Sequence, residues 1–147
     1  MTARHGSAEW HGDVEGGSGT ITVGDGVFED AYSFESRFAG GEGINPEQLL
    51  AAAHSGCFTM ALASILSAAG HAPESVRTSA RVGLLQVDGE PTLARIYLET
   101  VGDVPGIGEH EFETYAQRMR VECPVSWALA GIPPQIVLKA RLGSGPL

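Results

Sequence analysis

Lysine is almost absent from this chain: Lys139 stands alone beside eight arginines in 147 residues. Charge of any kind is scarce, at 18% against about 25% in an average globular protein. With 43% hydrophobic residues this excludes a disordered chain and implies much buried surface, part of it in an oligomer interface. Positive charge is the scarcer sign, nine basic residues against eighteen acidic ones, for a formal net charge of −9. A surface so acidic repels phosphate backbones, so no nucleic-acid partner is expected. The opening MTARHGSAEW has no apolar core of a secretory signal, and no run of about 18 apolar residues offers a membrane span. A cytoplasmic location without membrane contact is the expectation. Cysteine occurs twice, at Cys57 and Cys123, which is too few for a disulfide scaffold but enough for reactive thiols. There is no internal repeat and no long linker, so residues 1–147 read as one domain. Glycine is plentiful, with 20 residues in no collagen-like period, as punctuation for turns.

The first third reads as strands. Ser7–His11, Gly17–Val23 and Val27–Tyr32 are short alternating segments separated by Gly-Asp turns. Ser33 to Gly43 reads as a glycine-bearing loop with Arg37 at its middle. At Asn45-Pro46-Glu47 the period changes: Asn caps, Pro suits the first helical position, and Glu complements the positive helix end. Pro46 to Ala69 then runs almost without charge, which predicts a helix buried on every face and wrapped by sheet. Gly70 ends it. Strands are expected at Ser75–Val87 and Thr92–Val101, helices at Glu109–Val121 and Pro124–Ala130, and a last strand at Gln135–Leu142. The class is α+β, an antiparallel sheet folded around a central helix.

Four residues invite chemistry on their own terms. Cys57 sits within the long helix, where a packed apolar thiol is the bland reading and reactivity needs a nearby cation. Cys123 precedes Pro124, so it can occupy an N-cap and face unpaired backbone N–H groups, which favour a thiolate. A buried linker residue is the competing reading. Arg37 lies between Phe34 and Phe38, either as a surface arginine resting on an aromatic ring or as the cation that activates Cys57, held by Glu47. Ten residues of straight helix separate Glu47 from Cys57 by about 15 Å, so their convergence needs a bend, a loop or a second subunit. His54 shares a helical face with Cys57. It suggests a thiol hydrolase or a metal ligand, or more simply a histidine donating to a backbone carbonyl. A metal needs three or four convergent ligands, and no dense His/Cys cluster is written here, so no cofactor or metal is expected.

Longer stretches carry a resemblance. Phe34-Glu35-Ser36-Arg37-Phe38, then Gly43-Ile44-Asn45-Pro46-Glu47-Gln48-Leu49-Leu50 through His54-Ser55-Gly56-Cys57-Phe58, resemble the osmotically inducible protein C (OsmC) family. Val104-Pro105-Gly106-Ile107, Cys123-Pro124-Val125-Ser126 and the opening Ala8-Glu9-Trp10-His11-Gly12 extend the likeness over nearly the whole chain. The sister branch, the organic hydroperoxide resistance proteins, usually carries its arginine earlier, in Gly-Arg-Asp-Gly. Here Gly12-Asp13 and Gly24-Asp25-Gly26 lack it, so Arg37 favours the OsmC branch.

The resemblance implies an intertwined homodimer with strongly curved antiparallel sheets around central helices. It also implies a thiol-dependent peroxidase of oxidative or osmotic stress defence, acting on organic hydroperoxides and less well on hydrogen peroxide. Cys57 is then the peroxidatic cysteine and Cys123 the resolving one, joined in a disulfide after a Cys57 sulfenate and reset by an external dithiol. Arg37 and Glu47 are the groups that activate Cys57. Walls from the central helix, Phe38, Phe58 and Trp127 would favour organic substrates. The competing functions are a Cys57–His54 thiol hydrolase or acyltransferase, and a non-catalytic structural or binding protein.

Overall fold

Three short strands occupy most of the first thirty-two residues: β1 (Gly6–His11), β2 (Ser18–Val23) and β3 (Phe28–Tyr32), paired antiparallel in the order β1-β2-β3. Alternation turns Gly19 and Ile21 of β2 to the covered face. Trp10 and Tyr32 flank Gly19 in register, and their rings meet at 5.2 Å and 60°. A Cβ at Gly19 would lie 2.5 Å from the Tyr32 ring and 2.8 Å from that of Trp10, so glycine is what lets this aromatic pair close.

The computed structural model describes residues 1–131 and 136–147, which divide into two compact units, Met1–Leu49 and Leu50–Leu147. In the first unit, the segment read as a loop from Ser33 contains a short helix, α1 (Phe34–Phe38). Ser33 and Ser36 form a reciprocal capping box, which holds a single turn that hydrophobic periodicity is too short to reveal. The long helix α2 (Pro46–Ala68) matches its expectation closely. Asn45 and Gln48 cap it reciprocally, Gln48 N–H donating to Asn45 Oδ1 at 2.9 Å and Asn45 N–H to Gln48 Oε1 at 3.1 Å.

In the second unit, β4 (Ser75–Val87) and β5 (Glu90–Asp103) form an antiparallel hairpin through Asp88 and Gly89, both at positive φ. Helices α3 (Glu109–Glu122) and α4 (Pro124–Ala128) follow, then β6 (Val137–Leu142). β6 pairs parallel with β5, so this sheet is mixed where a wholly antiparallel one was expected. The chain crosses over through α3 and α4 before re-entering the sheet, and a helical crossover returns a strand in the same direction. The expected start of that strand, Gln135, lies outside the described residues.

The core of this unit joins Phe58, Leu62 and Leu66 of α2 with Leu98 of β5, Phe112, Ala116 and Met119 of α3, and Cys123. On α2, burial falls on one stripe, His54, Phe58, Leu62 and Leu66, spaced four apart. Ala53, Gly56, Met60 and Ser64 are exposed, Met60 by 75%. The helix expected to be covered all round is thus covered by its own chain on one side only. It is long and apolar enough to cross a membrane by length and composition, contrary to the reading of no such run. Its packed stripe has the form of a core helix.

Candidate active site

Arg37 is placed by α1. The Ser36 side chain donates to Ser33 O at 3.1 Å and to Ile44 O at 3.0 Å, and Asn45 Nδ2 donates to Ser36 O at 3.0 Å. These bonds tie the short helix to the start of α2. Gly43 permits the turn between them, with φ of 105° and a Cβ position only 2.6 Å from Ala31 O. Arg37 Nη2 then donates to Glu47 Oε1 at 2.8 Å and Nε donates to the same oxygen at 3.2 Å. Glu47 is buried while the Arg37 side chain is 36% exposed, so the carboxylate holds the guanidinium with one side still available. The guanidinium also lies 5.2 Å from the centre of the Phe38 ring. Trp10, Tyr32, Phe34, Phe38 and Arg37 line an open, mainly apolar cavity of about 200 Å³.

The second unit holds both thiols, and both are free. Cys57 is half-buried on α2 and packs against the core cluster that contains Cys123. Burial pushes the Cys57 thiol up from its ordinary value, the Val125 backbone amide opposes this, and the neighbouring Cys123 thiol pushes it further up. Among the described residues the net direction for Cys57 is upward. Cys123 is 1% exposed and caps α4, ahead of Pro124 at the first helical turn. Ser126 N–H donates to Cys123 Sγ at 3.3 Å, as an N-cap thiol requires.

His54 was expected to donate to a backbone carbonyl. It instead pairs with a side chain: Nε2 lies 2.7 Å from Ser126 Oγ, and Cys123 Sγ donates to the same hydroxyl at 3.2 Å. His54, Ser126 and Cys123 are each 1% exposed or less. Burial lowers the His54 pKa and keeps the ring neutral. His54 Nδ1 has no hydrogen-bond partner among the described residues. Ser126 is the site residue that sequence reasoning missed; its only signal was the Cys-Pro-Val-Ser spacing, which sets a serine at N3 facing its own cap.

The structure brings Arg37 to Glu47 and Cys57 to Cys123. Phe58 is fully buried in the core and so cannot serve as the expected substrate wall, whereas Phe38 lines the cavity at Arg37 with Phe34, Trp10 and Tyr32. Among the described residues no three His, Cys, Asp or Glu side chains gather to hold a metal.

An α+β chain with two free thiols in one packed cluster, one half-buried and one at a helix cap, is a two-cysteine thiol protein. Residues 39–139 match the OsmC-like protein family. Over 127 residues the chain is 41% identical to "Peroxiredoxin OsmC" of Escherichia coli (strain K12), covering 86% of this chain and 89% of that one. It is 34% identical over 94 residues to an "Organic hydroperoxide resistance protein" of Xanthomonas axonopodis pv. citri, 63% of this chain and 64% of the other. A crystal structure of an organic hydroperoxide resistance protein from Legionella pneumophila superposes with a TM-score of 0.71 at 23% identity, over 97% of this chain and 99% of that one. The chain belongs to the OsmC family.

Proposed function

We propose that this chain is a thiol-dependent peroxidase that reduces organic hydroperoxides. The carrying observation is the pair of free thiols in one cluster, Cys57 accessible and Cys123 beside it. The Cys57 thiolate attacks the outer peroxide oxygen. The O–O bond breaks, the alcohol leaves and Cys57 becomes a sulfenic acid. Cys123 attacks that sulfur, releases water and leaves a Cys57–Cys123 disulfide, which an external dithiol reduces by exchange.

The surroundings of Cys57 raise its pKa, so its thiolate needs a cation. Arg37 is our assignment, with Glu47 orienting it; the guanidinium also donates to the departing oxygen as charge develops there. Glu47 and Cys57 stand ten residues apart on α2, about 15 Å of helix rise. We therefore assign the ion pair to the Cys57 of a second subunit in a homodimer. The uncovered apolar side of α2, Met60 above all, supports that dimer. Cytoplasmic residence suits two thiols kept reduced, and residues 1–147 act as one OsmC-like domain. The hydrolase alternative loses its base, because His54 pairs with Ser126 rather than with Cys57.

Counting thiols before and after one equivalent of tert-butyl hydroperoxide tests this. The wild type should lose both thiols per chain, Cys57→Ser none, and Cys123→Ser one, with overoxidation at excess peroxide. Unchanged thiols in the wild type after prolonged exposure would sink the reading.

A further inference from the structure

The peroxidase reading leaves one buried polar group without a task. His54 is fully inaccessible on a helix otherwise packed with Phe58, Leu62 and Leu66, and a buried imidazole costs free energy unless it is bonded. Its one partner among the described residues is the hydroxyl of Ser126, 72 residues away in sequence, at the short distance of 2.7 Å. That hydroxyl also accepts from Cys123 Sγ at 3.2 Å. The three groups form one line: thiol, hydroxyl, imidazole.

We propose that His54, acting through the Ser126 hydroxyl, is the proton relay that empties the Cys123 thiol as it resolves the Cys57 sulfenate. The proposal rests on the peroxidase reading above. The relay sets the resting polarity. Cys123 S–H donates to Ser126 Oγ, Ser126 O–H donates to His54 Nε2, and the ring's own hydrogen sits on Nδ1.

As the Cys123 sulfur attacks the sulfur of Cys57–S–OH, its proton moves to Ser126 Oγ and the Ser126 proton moves to His54 Nε2. The new S–S bond takes the Cys123 electron pair. The S–O bond breaks, and its pair leaves with hydroxide. His54 has no surface and Nδ1 no partner among the described residues, so the imidazolium returns its proton through Ser126. The departing hydroxide takes up that proton and becomes water. The sum is R–SOH + HS–R′ → R–S–S–R′ + H₂O, with no outside acid or base. Burial favours the neutral ring at rest, so the acceptor is always ready and the imidazolium is short-lived. Ser126 N–H, 3.3 Å from Cys123 Sγ, steadies the sulfur as its proton leaves.

The test separates the two half-reactions in one sample. Reduced protein is mixed with one equivalent of tert-butyl hydroperoxide, quenched with an alkylating reagent and followed by mass spectrometry. Loss of the Cys57 thiol reports the first step and appearance of the disulfide reports the second. In Ser126→Ala and His54→Gln we expect the first step within about twofold of wild type and the second slowed about 10²-fold, the usual share of a general base. The sulfenate should persist and overoxidise with added peroxide. Glutamine keeps an acceptor for Ser126 but cannot take a proton, so a purely structural histidine would be rescued by it. The wild-type second step should also slow in heavy water, and that sensitivity should weaken in His54→Gln.

Disulfide formation at the wild-type rate in His54→Gln overturns the relay, as does a first step lost along with the second. A sample that has partly unfolded shows it in the first step. Failure of the peroxidase reading looks different, since the wild type itself would then lose no thiol.

Discussion

The Arg37–Glu47 ion pair keeps about a third of the Arg37 side chain in reach of solvent, whereas the His54–Ser126–Cys123 line is sealed. Each unit of the chain holds one of these clusters. A partly exposed ion pair adds only about 1 kcal/mol or less to stability, so what it contributes is a fixed, oriented cation. A sealed line of hydrogen bonds cannot supply charge, but it holds a thiol in one orientation and gives its proton a path. The two cysteines need different things, and the chain provides them by different means. Burial and the Cys123 thiol raise the Cys57 pKa against the Val125 amide, and on our proposal the opposing charge comes from Arg37; Cys123 has its partners built around it.

The sharpest way to break that comparison is to remove the charge. Arg37→Met should slow the first step about 10²- to 10³-fold, as loss of a preorganised donor to developing charge commonly does. The Cys57 thiolate absorbance should appear at higher pH, because the groups that raise its pKa are then opposed only by the Val125 amide among the causes named above. Arg37→Lys should recover part of the rate, since a point charge replaces the planar fork that Glu47 now holds at two nitrogens. Co-expressing Arg37→Met with Cys57→Ser should restore activity that neither homodimer has, because one mixed site then joins an intact cation to an intact thiol. No complementation would return the ion pair to its own chain's cysteine.

A second contrast concerns packing. Phe38 and Phe58 were read alike as aromatic walls, yet Phe38 is 38% exposed at the Arg37 cavity and Phe58 has no exposed surface. Phe58→Ala should cost about 3–5 kcal/mol in urea unfolding, the range for a truncated core aromatic. Phe38→Ala should cost within about 0.5 kcal/mol of nothing, and should instead raise KM for bulky hydroperoxides. Equal destabilisation by both would erase the distinction between core and pocket.

How much of this was written in the sequence depends on the range of the interaction. The boundaries of α2 and of the β4–β5 hairpin were legible because caps, turn residues and periodicity are local. α1 was not, since its capping box binds serine to serine over a single turn. The parallel pairing of β6 was hidden because strand direction is decided by the route between strands, not by their residues. Cys57, Cys123, Arg37 and Glu47 stood out by their types and neighbours. His54 and Ser126 did not come together, because a contact across 72 residues leaves no local trace. The all-round apolarity of α2 led to an expectation of burial on every face, but this chain covers only the stripe through Leu66.

The smallest expected effect probes the sealed line through stability. His54 has a lowered pKa in the folded chain and the ordinary value of 6.5 when unfolded. Above that value both states hold the ring neutral and its titration does not alter stability. Below it the unfolded chain binds a proton that the folded chain declines, so unfolding gains free energy as pH falls. The loss continues until pH reaches the folded pKa. One pH unit below the ordinary value it amounts to at most about 1.4 kcal/mol. Carboxylates change over the same interval, so the useful quantity is the difference from His54→Gln. Urea unfolding at neutral and mildly acidic pH should show the wild type losing more stability than the variant, by an amount within that bound. Arg37→Met, measured in the same way, should leave this difference in place, since Arg37 bonds to Glu47 and the ring bonds to Ser126. Identical pH slopes in wild type and His54→Gln would mean that the imidazole accepts its proton freely while folded. The ring would then be open to solvent, and a relay that depends on its seclusion would lose its physical basis.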